Sequence, residues 1–123
     1  MSSQHGFVVI DKPSGITSHD VVARLRKKLG TKQIGHAGTL DPMATGVLVL
    51  GVNNATKFLD YIVQGRKRYR GIIRLGQSTT TDDRESEVIS SASPLHITED
   101  EIRSELGKLV RSEEHTSELQ SRF

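Results

Sequence analysis

The stretch Gly35-His36-Ala37-Gly38-Thr39-Leu40-Asp41-Pro42-Met43-Ala44-Thr45-Gly46 constrains this 123-residue chain more than any other. It holds three glycines, one histidine and one aspartate, and the apolar run Val47-Leu48-Val49-Leu50 follows at once. Glycine admits positive φ and the close approach of another chain. Pro42 biases Asp41 toward extended geometry, because the proline ring clashes with a helical predecessor. Asp41 is therefore a carboxylate on a restricted loop at the mouth of an expected strand, a fit place for a group that must be aimed. An ordinary turn uses the same residues.

Two further blocks share this density of turn and functional residues. Asp11-Lys12-Pro13-Ser14-Gly15-Ile16-Thr17-Ser18 precedes the loop, and Lys67-Arg68-Tyr69-Arg70 follows it. Together, in this order and spacing, the three blocks resemble the motifs of the TruB family of tRNA pseudouridine synthases. The resemblance runs from about Gly6 to Leu109 and covers the first third to half of a family member. It implies an α+β fold with a mixed, mainly antiparallel sheet and flanking helices, here truncated and with an incomplete sheet edge. Residues 1–110 are expected to form the N-terminal part of a catalytic domain. Residues 111–123 lack a sustained apolar period and read as a non-family tail, either a translated adaptor or frame artefact or a natural polar tail.

What the resemblance implies about roles is specific. Asp41 acts at the glycosidic carbon of a T-loop uridine, as nucleophile at C1′ or as base at C2′. His36 presses into the RNA loop and helps hold the target nucleotide out of its stack. Tyr69 stacks on the target base, and Asp83 helps organise the site. Lys12, Pro13 and Gly38 have a structural part beside it. No metal and no organic cofactor are needed, and the partner is the T arm of tRNA. The parent would be a cytoplasmic monomer. Two departures from the family pattern stand out: Thr80 occupies a position where the family usually has aspartate, and the family usually has a glycine near Ser86. The arginine that keeps the family's catalytic carboxylate charged comes from a later portion, and no matching motif occurs here.

Read from the residues alone, Gly6-Phe7-Val8-Val9-Ile10 is a short buried strand, ended by turn residues. Lys12 either contacts phosphate or braces the neighbouring loop. Thr17 or Ser18 caps a helix whose apolar face is Val21, Val22, Leu25 and Leu29. Asp20 sits in its first turn, the basic residues Arg24, Arg26, Lys27 and Lys28 lie toward its end, and Gly30 stops it. Residues 31–34 lead into the central loop. Val47 to Val52 is a strand, and Thr56 caps a helix with the stripe Ala55, Phe58, Leu59 and Ile62. Arg66 to Leu75 alternates as a strand, with Tyr69, Ile73 and Leu75 on one face and Arg68, Arg70 and Arg74 on the other. Residues 87–90 form a short strand. Thr98-Glu99-Asp100-Glu101 is a capping box before a helix with the seam Ile102, Leu106 and Leu109.

Charge separates the chain into two parts. Residues 1–75 carry 12 Lys/Arg and 4 Asp/Glu, whereas residues 76–123 carry 5 and 11. A basic first part suits a polyanion partner, and a solvated surface would look the same. A noncatalytic RNA-binding fragment is thus one alternative, and the resemblance implies a second, a guide-RNA-dependent relative, since those enzymes share the central motif. A phosphate-binding nucleotide enzyme is excluded, because no Gly-Lys-Ser/Thr closes the glycine loop. With no cysteine, disulfides and thiolate metal sites are excluded. His36 has no second histidine at metal spacing. No apolar run is long enough to span a bilayer, and the first residues lack a basic region followed by a long apolar run, so no secretory signal is expected in them.

Overall fold

The computed structural model describes residues 4–81, 86–94 and 96–110. It divides into two units, residues 1–67 and 68–123. The first unit is built on a sheet of β1 (Gly6–Lys12), β2 (Ile34–Ala37) and β3 (Gly46–Val52), in the order β1-β3-β2. Both pairings are antiparallel. Every strand pairing among the described residues is antiparallel, in keeping with the expected α+β fold and its mainly antiparallel sheet.

The register explains how the sheet buries one face. Val8 lies opposite Leu50 and Ile10 opposite Leu48, while Ile34 pairs with Val52 and His36 with Leu50. Side chains alternate along a strand, so these residues share a face. Helix α1 (Ser18–Leu29) covers it with Val21 and Val22, forming a core with Ile34, Leu48, Leu50 and Val52. Val8, Ile10, Ile16, Leu25 and Leu40 pack around that core. Each fully buried aliphatic side chain stabilises the unit by roughly 1.5–3 kcal/mol relative to exposure. Leu29, expected on the apolar face, is exposed at the end of the helix.

Helix α1 begins and ends as its residues require. Thr17 Oγ1 accepts from Asp20 N at 2.9 Å, and Thr17 N donates to an Asp20 oxygen at 3.0 Å. The hydrogen bonds from the Thr17 backbone and side chain hold the Asp20 carboxyl below its ordinary pKa, with smaller help from Arg24 and His19. Gly30 closes the helix at φ 66°, a conformation that favours glycine. Arg26 then ties the helix to β2 by donating to Ile34 O at 3.0 Å.

On the opposite face, Gly35 and Gly51 lie directly across from one another. A Cβ on Gly35 would stand 3.1 Å from Leu59 Cδ1, and one on Gly51 would stand 3.0 Å from both Ala55 O and Leu59 Cδ2. The paired glycines thus seat a 3-10 helix (Asn53–Phe58) and the short helix α2 (Leu59–Val63). This corrects the expectation of one helix capped by Thr56. The Thr56 hydroxyl instead donates to Asn53 O at 2.8 Å within the tight turn, and Phe58 is exposed. Residues 34–37 are also a strand and not a lead into a loop. Pairing with β3 gives Ile34–Ala37 a ladder that local composition does not announce.

The second unit contains β4 (Gln77–Thr79), β5 (Val88–Ser91) and helix α3 (Glu99–Lys108). β4 and β5 pair antiparallel with an irregularity between Ser78 and Thr79. The Thr98 capping box forms as expected: Glu101 N donates to Thr98 Oγ1 at 3.2 Å, and Thr98 N to a Glu101 oxygen at 3.3 Å. The expected strand over 66–75 does not form. Its alternation is present, but no described strand pairs with it, and unpaired ladder groups do not hold a strand. Leu106 and Leu109 are exposed, so the expected buried seam of α3 reduces to a half-buried Ile102. The expectation for residues 111–123 lies outside the described residues. Among the described residues, no helix is long and apolar enough to cross a membrane.

Candidate active site

The loop that carries Asp41 leaves the sheet where β2 ends and re-enters it at Gly46, the partner of Lys12 at the end of β1. Lys12 and the loop therefore meet by register. The Lys12 side chain is fully buried, at 0% exposure, and its ammonium has three acceptors. It donates to Ile16 O at 2.7 Å, Pro13 O at 2.9 Å and Pro42 O at 3.1 Å. A lysine ammonium has three donors, so none remains for a ligand. Of the two readings of Lys12, the geometry matches the brace and not the phosphate contact.

The loop backbone is held at three successive carbonyls. Leu40 O accepts from the Ser18 hydroxyl at 3.1 Å. Asp41 O accepts from Ala44 N at 2.9 Å, closing a turn with Pro42 at its second position. Pro42 O accepts from Gly15 N at 2.8 Å as well as from Lys12, which uses both of its lone pairs. The Leu40 side chain packs on the core. Asp41 itself is exposed, and among the described residues no hydrogen bond or ion pair engages its carboxylate. A fixed backbone thus presents a free carboxylate to solvent.

His36 precedes this loop on β2, half-buried. Its Nδ1 lies 3.1 Å from Gly38 O. A carbonyl can only accept, so Nδ1 carries the hydrogen in this contact, and in the neutral ring Nε2 is left as an acceptor. Gly38 turns the chain at φ 80°. The Lys67 ammonium lies over it, 3.9 Å from where a Cβ would be. Any larger residue at 38 would meet both the strained φ and that lysine.

Lys12, Pro13, His36, Gly38 and Asp41 all belong to the first unit, at the loop end of its sheet. Tyr69 belongs to the second unit, in a segment without regular structure, and is 56% exposed. Asp83 lies outside the described residues. Among the described residues, no group of three or more His, Cys, Asp or Glu could hold a metal ion. Sequence reasoning missed the part of Gly15 N and Ser18 in holding the loop. Ser18 was legible only as one of two candidate helix caps, since its contact with Leu40 spans 22 residues.

Residues 26–121 match the family model "TruB family pseudouridylate synthase (N terminal domain)". The chain is 60% identical over 105 residues to tRNA pseudouridine synthase B of Arthrobacter sp. (strain FB24), covering 85% of this chain and 34% of that protein. It is 58% identical over 105 residues to the protein of the same name from Rhodococcus jostii (strain RHA1), with the same coverage. A solved structure of an H/ACA RNP bound to a substrate RNA containing 2'-deoxyuridine overlays 46% of this chain and 18% of its own. Its TM-score is 0.44 and its identity 45%. The chain spans about a third of the length of the curated relatives it matches. By the extent of its match to the family model, this chain belongs to the TruB family of pseudouridylate synthases, in the N-terminal part.

Proposed function

We propose that this chain is the N-terminal part of a tRNA pseudouridine synthase that isomerises a uridine in the T loop. Residues 1–110 belong to its catalytic domain, and Asp41 is the reacting group. The observation that carries this reading is the exposed Asp41 carboxylate on a loop whose carbonyls at 40, 41 and 42 are all hydrogen-bonded. The names of the relatives support the substrate class.

The reaction breaks the bond between ribose C1′ and uracil N1, turns the base, and joins C1′ to C5. The C5 proton is released and N1 regains one, so the product is an isomer. A carboxylate serves either by adding to C1′ or by taking the C2′ proton. Neither route requires an oxidant. His36, with Nδ1 turned to Gly38, presents its ring edge beside the loop, where it helps keep the target nucleotide unstacked. Tyr69 stacks on the extruded base and Asp83 helps order the site. Lys12, Pro13 and Gly38 shape the loop. The parent acts on the T arm as a cytoplasmic monomer. By itself the 123-residue chain is expected to turn over weakly or not at all.

The test is a chimera of the Arthrobacter relative in which the matching segment is replaced by residues 6–110 of this chain. Turnover is read as tritium released from uracil C5 of a T-arm transcript. The chimera is expected to be active, and Asp41→Asn to lower kcat by about 10²–10⁴-fold with tRNA affinity retained. A folded, tRNA-binding chimera without turnover, or unchanged kcat in Asp41→Asn, would refute the reading.

A further inference from the structure

We propose that Ser18 is a positioning residue for Asp41, acting through the backbone of Leu40; this rests on the reading of Asp41 as the reacting group. Ser18 is the first residue of α1, and a hydroxyl there could serve the helix end. It does not. Thr17 is the cap, and Ser18 turns away from the helix. Its Oγ accepts from Leu40 N at 2.9 Å and donates to Leu40 O at 3.1 Å. Ser18 is 2% exposed, so water cannot readily replace either bond.

The two bonds fix both polar groups of the residue before Asp41. Lys12 and Gly15 fix the carbonyl of the residue after it. Asp41 is thereby held from both sides, by groups at the end of β1, in the turn after it and at the start of α1. Losing the Ser18 hydroxyl frees one side alone. The loop can then rotate about Leu40 while its Pro42 anchor stays in place. A hydroxyl that takes part in both donation and acceptance has no apolar substitute. Misplacement of a reacting group by about 1 Å costs on the order of 10²-fold in rate, while the RNA surface elsewhere is untouched.

The experiment uses the same chimera with Ser18→Ala and Ser18→Cys, reading kcat, KM, tRNA affinity and thermal unfolding. Cysteine keeps nearly the volume of serine with much weaker hydrogen bonding, so it answers if the alanine variant does not fold. The expected result is a loss of about 10–10²-fold in kcat in the folded variant, with KM and tRNA affinity within about threefold of the parent chimera. A folded variant that keeps kcat while its unfolding temperature falls would show Ser18 to be structural only, and would overturn the proposal. A variant in which affinity falls in step with kcat would overturn it too. Asp41→Asn, assayed alongside, separates the two claims: its unchanged turnover defeats the reading of Asp41, whereas unchanged kcat in Ser18→Ala defeats only the role of Ser18.

Discussion

The two units of this chain obey the same local rules and reach different ends. Helices α1 and α3 both open with a complete capping box, on Thr17 and on Thr98. Both units contain an antiparallel pair. In the first unit, these elements close over Val22, Leu48 and Leu50, at 2%, 0% and 0% exposure. In the second, no described residue is buried, and Val88, Ile89, Leu106 and Leu109 are exposed. Caps and turns decide where an element starts; a core decides whether it is held. The candidate site follows the core. Its loop hangs on donors from a buried lysine and a buried serine, which exist only where a core surrounds them.

The largest expected effect compares one lysine from each unit. Lys12→Met removes three charge-assisted bonds and takes the lysine donor from the Pro13, Ile16 and Pro42 carbonyls, at a cost of about 3 kcal/mol or more. Lys108, by contrast, pairs with Glu105 at 2.7 Å on the open surface of α3. Lys108→Met is expected to change stability by no more than about 0.5 kcal/mol. Urea unfolding of the 123-residue chain, followed by far-ultraviolet dichroism, measures both. Equal effects would erase the distinction between the units.

A smaller effect concerns the α1 cap. Because folding lowers the Asp20 pKa, its ionised form stabilises the native state. That contribution is present above the ordinary carboxylate pKa and disappears as pH falls through the lowered one. Asp20→Asn should therefore reduce the unfolding temperature at neutral pH and leave it unchanged in strong acid, narrowing the pH dependence. A difference between the variants that stays constant into strong acid would speak against the cap.

Much of the first unit was legible in the sequence, for reasons particular residues make plain. Val47 to Val52, the Thr17 cap and the Gly30 stop all declare themselves within a few residues, as does the strand at Gly6 to Ile10, although the expectation that it is buried fails at Phe7 and Val9, which are exposed. The Thr98 box declares itself in the same way. Strand β2 was not legible, because Ile34-Gly35-His36-Ala37 has weak strand character and gains its ladder only from β3. The alternation over 66–75 misled in the opposite sense: a pattern of faces is no strand without a partner. Phe58 and Leu106 carry apolar periodicity without burial. The site divides similarly. Asp41, His36 and Lys12 could be picked out by type and by resemblance, but the fixing of the loop could not. Ser18 and Leu40 are 22 residues apart, and Lys12 and Pro42 are 30 apart. Such contacts arise from the register of Lys12 with Gly46, which no local window contains.

Residue-resolved amide hydrogen exchange on the 123-residue chain tests most directly whether the core holds the Asp41 loop. The amides of Leu40, Gly15 and Ala44, which donate to Ser18 Oγ, Pro42 O and Asp41 O, should exchange nearly as slowly as that of Leu50. The amides of β5 should exchange far faster. Leu40, Gly15 and Ala44 exchanging at the rate of an unstructured peptide, while Leu50 stays protected, would contradict the account.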